Sequence, residues 1–407
     1  MLKEILELTT QKGINLKEVY NVVRNESDLT KVEIAEKTNL KFSTCARLIE
    51  ELVEIGLLYE SGEAHSSGGR KAKKYAITST TNYVVGIDIS RTFSKVLLMT
   101  LDLNPIEEQR FEMNETSTPD VMIKFYINTI HTMLKKNGIE ESSLLGIGIS
   151  AIGPLDTKNG IIKKPLHFPA SGWEDIPIVD RVKEYFDTEV VLDYGENSAL
   201  SAEQRQGAAK SDSSIFHINK GVGIRLGIML NGEILRPRGG DKGGAFGQGH
   251  MVVDIHGRKC TCGNYGCMNA YSTIPALVKE VKNHLKRGAD SVIHDQVDNV
   301  SEVSFSHIVS AIEEKDQLCE QIVKDTAYYS GTGLANLITI FHPSKIILSG
   351  PMYRELKLFY DMSIETAMNR YKKLFPDLEV TFTQGELGEN AAAIGAGGIV
   401  LDYLLSV

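Results

Sequence analysis

The chain lacks any long apolar run. No stretch of its 407 residues is a continuous apolar run of the roughly eighteen residues that a membrane-spanning helix needs. Charges also interrupt the first residues, MLKEILELTTQKG, where a signal peptide would be continuously apolar. The composition, 42% hydrophobic and 24% charged, is ordinary for a globular protein of about two or three domains. We therefore expect a cytoplasmic protein without a membrane span.

Cysteine is scarce and unevenly placed. The chain has five cysteines, and three of them fall within one short segment, whereas Cys45 and Cys319 lie in separate helical patterns. This distribution argues against a disulfide framework. It favours metal binding and core packing in a reducing compartment.

The clustered cysteines stand in the segment GHMVVDIHGRKCTCGNYGC. One histidine and three cysteines suit tetrahedral Zn2+, and Gly263 and Gly266 would let the loop turn tightly around the ion. Because the protein would fill all four positions, such a zinc would be structural. The alternative is a group of ordinary buried cysteines. The candidate metal ligands are His250, Cys260, Cys262 and Cys267.

Positive charge is also in short supply. The net charge of −9 argues against a protein coated in nucleic acid. Residues 1–80, however, hold twelve basic and twelve acidic residues, so the whole deficit lies in residues 81–407. Four basic residues crowd into positions 70–74 of this neutral beginning. A solvated turn would explain such a run unless its neighbours indicate a binding site.

The residues that precede this basic run have the pattern of a helix-turn-helix. Thr30 and Glu33 fit a capping box that starts a short helix ending near Lys37. After a break, a second helix is predicted over residues 42–55, and Gly56 stops it. Its apolar residues recur at helical spacing, which leaves a polar face suited to base edges and phosphates.

Two short strands, LLYE and KYAI, follow this helix and enclose a glycine-rich basic tip that is typical of a wing. Glycine lets backbone approach DNA closely, and basic side chains contact phosphates or the minor groove. We predict a DNA-binding domain over residues 1–80, with a winged-helix protein-interaction module as the alternative. The candidate DNA-binding residues are Lys41, Ser43, Thr44, Arg47, Ser67, Gly68, Gly69, Arg70 and Lys71.

From Tyr83 onward, apolar strands alternate with helical stretches. VVGIDIS and KVLLMTLDL read as a hairpin, and LLGIGISAIGPLD, SSIFHINKGVGIRLGIML and SKIILSGPM read as later strands. Helices are predicted over residues 120–136, 197–208, 318–340 and 388–405. This order predicts an α/β domain over residues 81–407, with ligands bound at strand ends.

Several segments together resemble the ROK family of repressors and sugar kinases. They are SSGGRK, GIDIS, GIGISAIGPLD, GVGIRLGIMLNG, the cysteine segment and GENAAAIGAG. The resemblance covers nearly the whole chain. It implies an α/β fold in which an N-terminal winged helix-turn-helix precedes a two-lobed, actin-like sugar kinase domain with a structural zinc site. It also implies a sugar-responsive transcription factor that works as a dimer or tetramer.

The same resemblance indicates that the kinase chemistry is lost. Where the family's kinases place an aspartate as proton acceptor, the aligned residue is Gly195, and only a one-residue shift to Glu196 would restore a carboxylate. The two phosphate-binding turns have lost glycines to Arg91 and Arg225. Asp88 alone, which could orient Mg2+, cannot supply the missing step. We therefore expect no enzymatic activity.

Sugar-contacting positions of the family pattern are altered as well. Two carboxylates are replaced by Gln248 and Asn269, which form hydrogen bonds without the assistance of charge. Arg91 and Arg225 could bind an anionic effector such as a sugar phosphate, or could simply point to solvent. The candidate effector-binding residues are Asn197, Gln248, Asn269, Arg91 and Arg225.

Three functions remain open from the sequence. The expected one is a repressor of carbohydrate genes that binds a double-stranded DNA operator as a homo-oligomer and senses a sugar or sugar phosphate. The alternatives are an active ATP-dependent sugar kinase with a DNA-binding appendage, and a protein-interaction hub. A complete wing beside several altered kinase positions favours the first.

Overall fold

A computed structural model describes residues 2–64, 71–210, 212–236 and 247–406. By internal packing they form two units. The first unit contains residues 2–64, 71–205 and 390–406, and the second contains residues 206–210, 212–236 and 247–389. The predicted domain boundary after residue 80 falls inside the first unit, between two strands, and stays a prediction. Among the described helices, none is both long and apolar enough to cross a bilayer.

The first unit begins with a small helical head. Its helices are α1 (Leu2–Leu6), α2 (Gln11–Asn25), α3 (Lys31–Lys37) and α4 (Phe42–Glu54). Its strands are β1 (Leu29–Thr30), β2 (Leu58–Glu63) and β3 (Lys73–Ile77). The strands pair antiparallel in the order β1-β3-β2. The predicted winged helix-turn-helix is confirmed.

Local chemistry sets the helix boundaries in this head. The Thr30 hydroxyl accepts from the Glu33 N–H and the Glu33 carboxylate accepts from the Thr30 N–H, so the predicted capping box is present. Asn39, with φ of 50°, turns the chain between α3 and α4. The buried side of α4 consists of Cys45, Leu48, Ile49 and Leu52. Cys45 is therefore a core residue, as its helical spacing predicted.

A five-stranded mixed sheet forms the body of the first unit. Its strands are β4 (Tyr83–Ile89), β5 (Phe93–Thr100), β6 (Pro105–Glu112), β7 (Leu144–Ala151) and β10 (Glu189–Tyr194), in the order β10-β7-β4-β5-β6. A separate short pair is β8 (Leu155–Asp156) with β9 (Ile161–Ile162). The helices are α5 (Pro119–Lys136), α6 (Ile178–Lys183), α7 (Gly195–Gln206) and α14 (Ala391–Leu405). β10, β7 and β4 run parallel, as α/β patterning predicted.

Helix α14 packs on this sheet at backbone distance. A Cβ atom on Gly148 of β7 would lie 1.8 Å from the carbonyl oxygen of Ala396. A Cβ atom on Gly395 of α14 would lie equally close, at 1.8 Å, to the carbonyl oxygen of Ser198 in α7. Because no side chain separates them, α14 touches both the sheet and α7 directly.

The second unit is a second five-stranded sheet with helices packed against it. Its strands are β11 (Ile215–Lys220), β12 (Ile224–Leu230), β13 (Glu233–Ile234), β14 (Lys345–Ser349) and β15 (Thr381–Gln384), in the order β13-β12-β11-β14-β15. Its helices are α8 (Ile274–Lys286), α9 (Ile293–Gln296), α10 (Phe305–Glu313), α11 (Gln317–Phe341), α12 (Pro351–Glu355) and α13 (Lys357–Tyr371). A core of aliphatic and aromatic side chains joins α8, α10, α11 and α13 to the sheet.

The four long helices predicted in the body are confirmed, with shifted ends. α5 and α11 begin one residue before their predicted starts. α7 begins at Gly195, two residues early, because the helix starts directly where β10 ends. α14 begins at Ala391, since Gly388–Asn390 form a 3-10 turn in front of it.

Candidate functional site

The predicted recognition helix presents a polar face to solvent. Lys41 is the N-cap residue of α4, and Lys41, Ser43 and Arg47 are exposed while Thr44 is half-buried. They lie opposite the apolar face that packs into the head. Hydroxyl and guanidinium groups on an exposed helix suit hydrogen bonding to base edges and phosphates.

Most of the predicted wing tip, Ser67, Gly68, Gly69 and Arg70, lies outside the described residues. Lys71 is described, is exposed, and forms an ion pair with Glu63 at 3.4 Å. The two strands β2 and β3 that carry the tip are paired as a hairpin. The wing strands are therefore present, and the DNA contacts of the tip stay a prediction.

Polar residues stand in one row across the first sheet. The register pairs Ser150 of β7 with Asp88 of β4 on one side and with Asp193 of β10 on the other, and pairs Asp88 with Lys95 of β5. All four side chains are buried. The Ser150 hydroxyl donates to Asp88 Oδ1 at 2.8 Å, and Lys95 Nζ donates to Asn390 Oδ1 at 2.5 Å.

This row lies at the carboxyl ends of parallel strands, which is where open α/β sheets bind their ligands. Two carboxylates on either side of a hydroxyl can accept hydrogen bonds from a polyol or share a cation. The sequence motifs single out Asp88 but not Ser150, Lys95 or Asp193. A polar residue near the end of an apolar strand, as in GIDIS, LLGIGIS and VVLDY, was the available indication.

Helix α7 starts beside this row. Its first residue is Gly195, which the family resemblance predicts at the position of the kinase base, and Glu196 next to it is buried within the helix. The predicted effector residue Asn197 is also buried, and its amide donates to Asp193 Oδ1 at 3.2 Å. The structure thus places Asn197 against the strand-end row.

Two other predicted effector residues, Gln248 and Asn269, lie in the second unit. Gln248 is buried, and its Nε2 donates to the Ile224 carbonyl oxygen at 2.9 Å. A Cβ atom on Gly249 would lie 3.5 Å from the Asn269 Oδ1 and 3.6 Å from the Ile224 Cβ. Among the described residues, no partner bonds Gln248 Oε1. A buried acceptor without a protein partner is suited to a ligand hydroxyl.

The two predicted effector arginines lie in different units. Arg91 follows β4, and its Nε donates to the Leu166 carbonyl oxygen at 2.8 Å. Arg225 lies in β12 opposite Asn219 of β11. Burial, with the charge of Arg225 nearby, lowers the pKa of His217 to about 3, so this imidazole is neutral at neutral pH. Anion binding by the arginines stays a prediction.

The four predicted metal ligands converge. Their candidate ligand atoms all lie within 4.8 Å of one another. Cys260 Sγ lies 3.6 Å from His250 Nδ1, and Cys262 Sγ lies 3.7 Å from Cys267 Sγ. Zinc–sulfur bonds of about 2.3 Å in a tetrahedron place two sulfurs about 3.8 Å apart. The group could therefore hold a metal ion of zinc's size and geometry.

Backbone and aromatic contacts hold this loop together. Gly266, at φ of 73°, sits so close to Asp254 that a Cβ atom would lie 1.7 Å from its carbonyl oxygen. The Tyr271 hydroxyl donates to Asp254 Oδ2 at 2.9 Å and accepts from the Arg258 N–H at 2.6 Å. The predicted role of Gly266 in a tight loop follows from this approach.

The thiols of the cluster differ in their surroundings. A hydrogen bond from the Asn264 N–H lowers the pKa of the exposed Cys262 thiol. Burial raises the pKa of Cys267 to about 12. A buried thiol of this kind becomes a thiolate when a divalent cation binds it directly.

Family profiles and known relatives match almost the whole chain. The profile described as "ROK family" matches residues 84–402, and the profile described as "Winged helix-turn-helix DNA-binding" matches residues 14–59. The chain is 26% identical to the xylose repressor of Bacillus subtilis (strain 168), covering 99% of each chain. It is 25% identical to the DNA-binding transcriptional dual regulator NagC of Escherichia coli (strain K12), covering 97% of this chain and 96% of the relative.

Solved structures share the fold. A ROK family transcriptional regulator, a homolog of the E. coli MLC protein, superposes with a TM-score of 0.78 at 19% identity, covering 97% of this chain and 96% of the other. A ROK family glucokinase from Streptomyces griseus, in complex with glucose and AMPPNP, gives a TM-score of 0.63 at 22% identity. That match covers 78% of this chain and 99% of the kinase.

Proposed function

Because this chain belongs to the ROK family, we propose that it is a cytoplasmic transcriptional repressor of carbohydrate genes that binds operator DNA as a homo-oligomer. The observation that carries the proposal is the winged helix-turn-helix, with its exposed polar recognition face, in front of a sugar kinase-like body. Its full-length relatives bear the names xylose repressor and NagC.

In this proposal α4 enters the major groove and the wing lies on the flanking backbone. Ser43, Thr44 and Arg47 contact base edges and phosphates, and Lys41 adds a positive charge at the start of the helix. At the wing, the basic tip from Ser67 to Lys71 approaches the phosphates or the minor groove.

The body senses the effector. Asn197, beside Asp88, Ser150 and Asp193, offers hydrogen-bonding groups for sugar hydroxyls in the first unit. In the second unit, Gln248 and Asn269 offer neutral amides. Arg91 of the first unit and Arg225 of the second each offer a guanidinium that suits an anionic effector. The effector changes operator binding only if it binds the DNA-competent and DNA-incompetent states unequally.

We assign the His250, Cys260, Cys262 and Cys267 group to a structural zinc. Zinc bound there would supply shape alone, because four protein ligands leave no position for substrate or water. The ligands fix the loop that carries Gln248 before them and Asn269 after them, so the loop positions both amides.

The DNA-binding part is tested with a duplex selected by the intact protein from a random-sequence pool. Arg47→Ala is expected to weaken binding to that duplex by about tenfold or more, which corresponds to a lost base or phosphate contact of about 1–3 kcal/mol. Arg370→Ala, an exposed helical arginine on α13, is the matched control and should bind as the parent does. Failure to select any duplex would refute the proposal.

The competing function is an active sugar kinase. It is favoured by the buried carboxylates at the strand-end row and by Glu196 beside Gly195. A coupled ATPase assay over a sugar panel, run beside thermal shifts with the same sugars and their phosphates, separates the two. Turnover that Glu196→Gln abolishes would establish the kinase, whereas stabilisation without turnover is expected for the sensor.

A further inference from the structure

Near its end, helix α2 of the head forms a partly buried ion pair with helix α14. The side chain of Arg24 is 2% exposed, and its Nη2 lies 2.5 Å from Asp402 Oδ1 in α14. Burial, followed by the charge of Arg205, lowers the pKa of Arg24 to about 10, which keeps the guanidinium charged at neutral pH. Removing Asp402 would leave a buried charge without its carboxylate partner.

The other oxygen of the same carboxylate belongs to α7. Arg205 Nη2 pairs with Asp402 Oδ2, and Arg205 Nη1 donates to Asn25 Oδ1 at 3.1 Å. One carboxylate is thus held by two guanidinium groups, one from the head and one from the body. We call Arg24, Asn25, Arg205 and Asp402 the head–body ion cluster.

The opposite end of α7 carries the candidate effector residue. Asn197 bonds Asp193 at the strand-end row, and Arg205, about two turns along the same helix, bonds the head–body ion cluster. A helix of this length moves as a rod, because its hydrogen bonds resist compression. A displacement at the Asn197 end therefore reaches the Arg205 end.

Helix α14 leaves little room for α7 to move independently. Its Gly395 contacts Ser198 at the start of α7 without an intervening Cβ, and its Asp402 holds the end of α7 through Arg205. Two close-packed helices that touch at both ends shift between discrete arrangements and do not deform continuously.

We propose that α7 carries the effector response from the strand-end row to the DNA-binding head, and that Arg205 is the positioning residue that passes it to α2 through Asp402. This inference rests on the proposed function. It assigns the regulation to a named contact: a shift of Arg205 changes how Asp402 and Asn25 hold the end of α2, which re-aims the recognition helix packed against it.

The test compares Arg205→Gln with Arg181→Gln. Arg205→Gln keeps the Arg24–Asp402 pair but removes the charge that α7 contributes. Arg181→Gln is the matched control, because it breaks an arginine–aspartate pair with Asp120 in the same unit but away from α7 and the head. The probes are D-xylose, N-acetyl-D-glucosamine and N-acetyl-D-glucosamine 6-phosphate. Binding is read by thermal shift, and the response by hydrogen exchange of residues 11–25 and by affinity for the selected duplex.

A probe that stabilises the parent is expected to change exchange in α2 and duplex affinity by about fivefold or more. Arg205→Gln should still be stabilised by that probe but should lose both responses, while Arg181→Gln should keep them. Arg205→Lys should restore part of the response, since an ammonium can still reach Asp402. A full response in Arg205→Gln, or an unchanged α2 in the probe-bound parent, would overturn the inference.

If no probe stabilises the protein, the sugar sensing of the proposed function fails for these sugars, and the relay is judged without a ligand. Asn197→Ala, Arg205→Gln and the double variant are then compared by α2 exchange. Effects that depart from additivity by more than about twofold support coupling along α7, and additive effects overturn it. Arg205→Lys in the same cycle replaces Arg205→Gln if the latter does not fold.

Discussion

Lys220 lies wholly inside the second unit although it carries an amine. Its Nζ donates to Ser330 Oγ at 2.6 Å and to Ser272 Oγ at 3.2 Å, and the rings of Tyr353 and Phe359 lie 5.7 and 5.6 Å away. Within the described residues no carboxylate forms an ion pair with it. Burial therefore lowers the pKa of Lys220 well below its ordinary value, because two neutral hydroxyls do not replace the lost hydration of a charged amine.

This burial predicts a pH-dependent stability. Above the lowered pKa and below 10.5 the unfolded chain binds a proton that the folded chain does not, so stability rises with pH across that window. Lys220→Met is expected to raise the free energy of unfolding at about pH 7 by about 1–3 kcal/mol, and the gain should shrink towards about pH 10. Urea unfolding at several pH values measures both.

The Lys220→Met substitution leaves both former partners of Lys220, Ser330 and Ser272, with other hydrogen bonds. Ser330 keeps the Tyr353 hydroxyl at 3.1 Å, and Ser272 still donates to the Met268 carbonyl oxygen at 3.2 Å. Lys345→Met is the matched control on the same sheet, since Lys345 pairs with Asp212 at 2.7 Å and its removal should give no gain. A Lys220→Met protein that is less stable at every pH would contradict the account.

At the scale of elements, sequence patterns predicted the features that depend on residues close to one another along the chain. The capping box of Thr30 and Glu33, the buried stripe of α4 and the convergence of the metal ligands all depend on residues close along the chain. The strand-end row was missed, because Asp88, Ser150 and Asp193 become neighbours only through strand order and register. Spacing along one strand cannot specify which residue pairs with it on the next.

The metal loop is the element whose removal can be tested most directly. Treatment with a chelator is expected to remove zinc and to speed hydrogen exchange of residues 247–270 by at least about tenfold, a local loss of about 1.4 kcal/mol or more. Besides backbone hydrogen bonds within it, the loop is held by the bonds of Tyr271 to Asp254 and Arg258 and by the ion pair of Arg258 with Glu280 at 3.1 Å. Mass spectrometry under native conditions gives the metal content.

Cys262→Ser should reproduce the chelated state, because it removes one ligand from an exposed position. Cys319→Ser is the matched control: Cys319 is a buried cysteine of α11 outside the cluster, so its variant should keep the metal even if it is less stable. Retention of stoichiometric zinc by Cys262→Ser would contradict the assignment of the ligands.

At the scale of the whole molecule, the least predictable feature is the attachment of the head to the body. Arg24 and Asp402 are 378 positions apart, and neither stands in a motif. Their pairing depends on α14 returning to the first sheet after the chain has built the second unit. The resemblance to a family implied the two parts of the chain but not which residues join them.

If the proposed homo-oligomer binds DNA as a dimer, its symmetry makes a geometric prediction about the operator. Two recognition helices related by twofold symmetry read half-sites about one helical turn, or about 10.5 base pairs, apart. Inserting about five base pairs between the half-sites of the selected duplex turns one half-site to the opposite face and should reduce affinity by at least about a hundredfold. Inserting about ten base pairs returns both half-sites to the same face of the duplex and should recover part of the affinity. Equal binding to all three duplexes would indicate that each head binds DNA independently, so gel-shift titrations of the three, at one salt concentration, decide whether the head works in pairs.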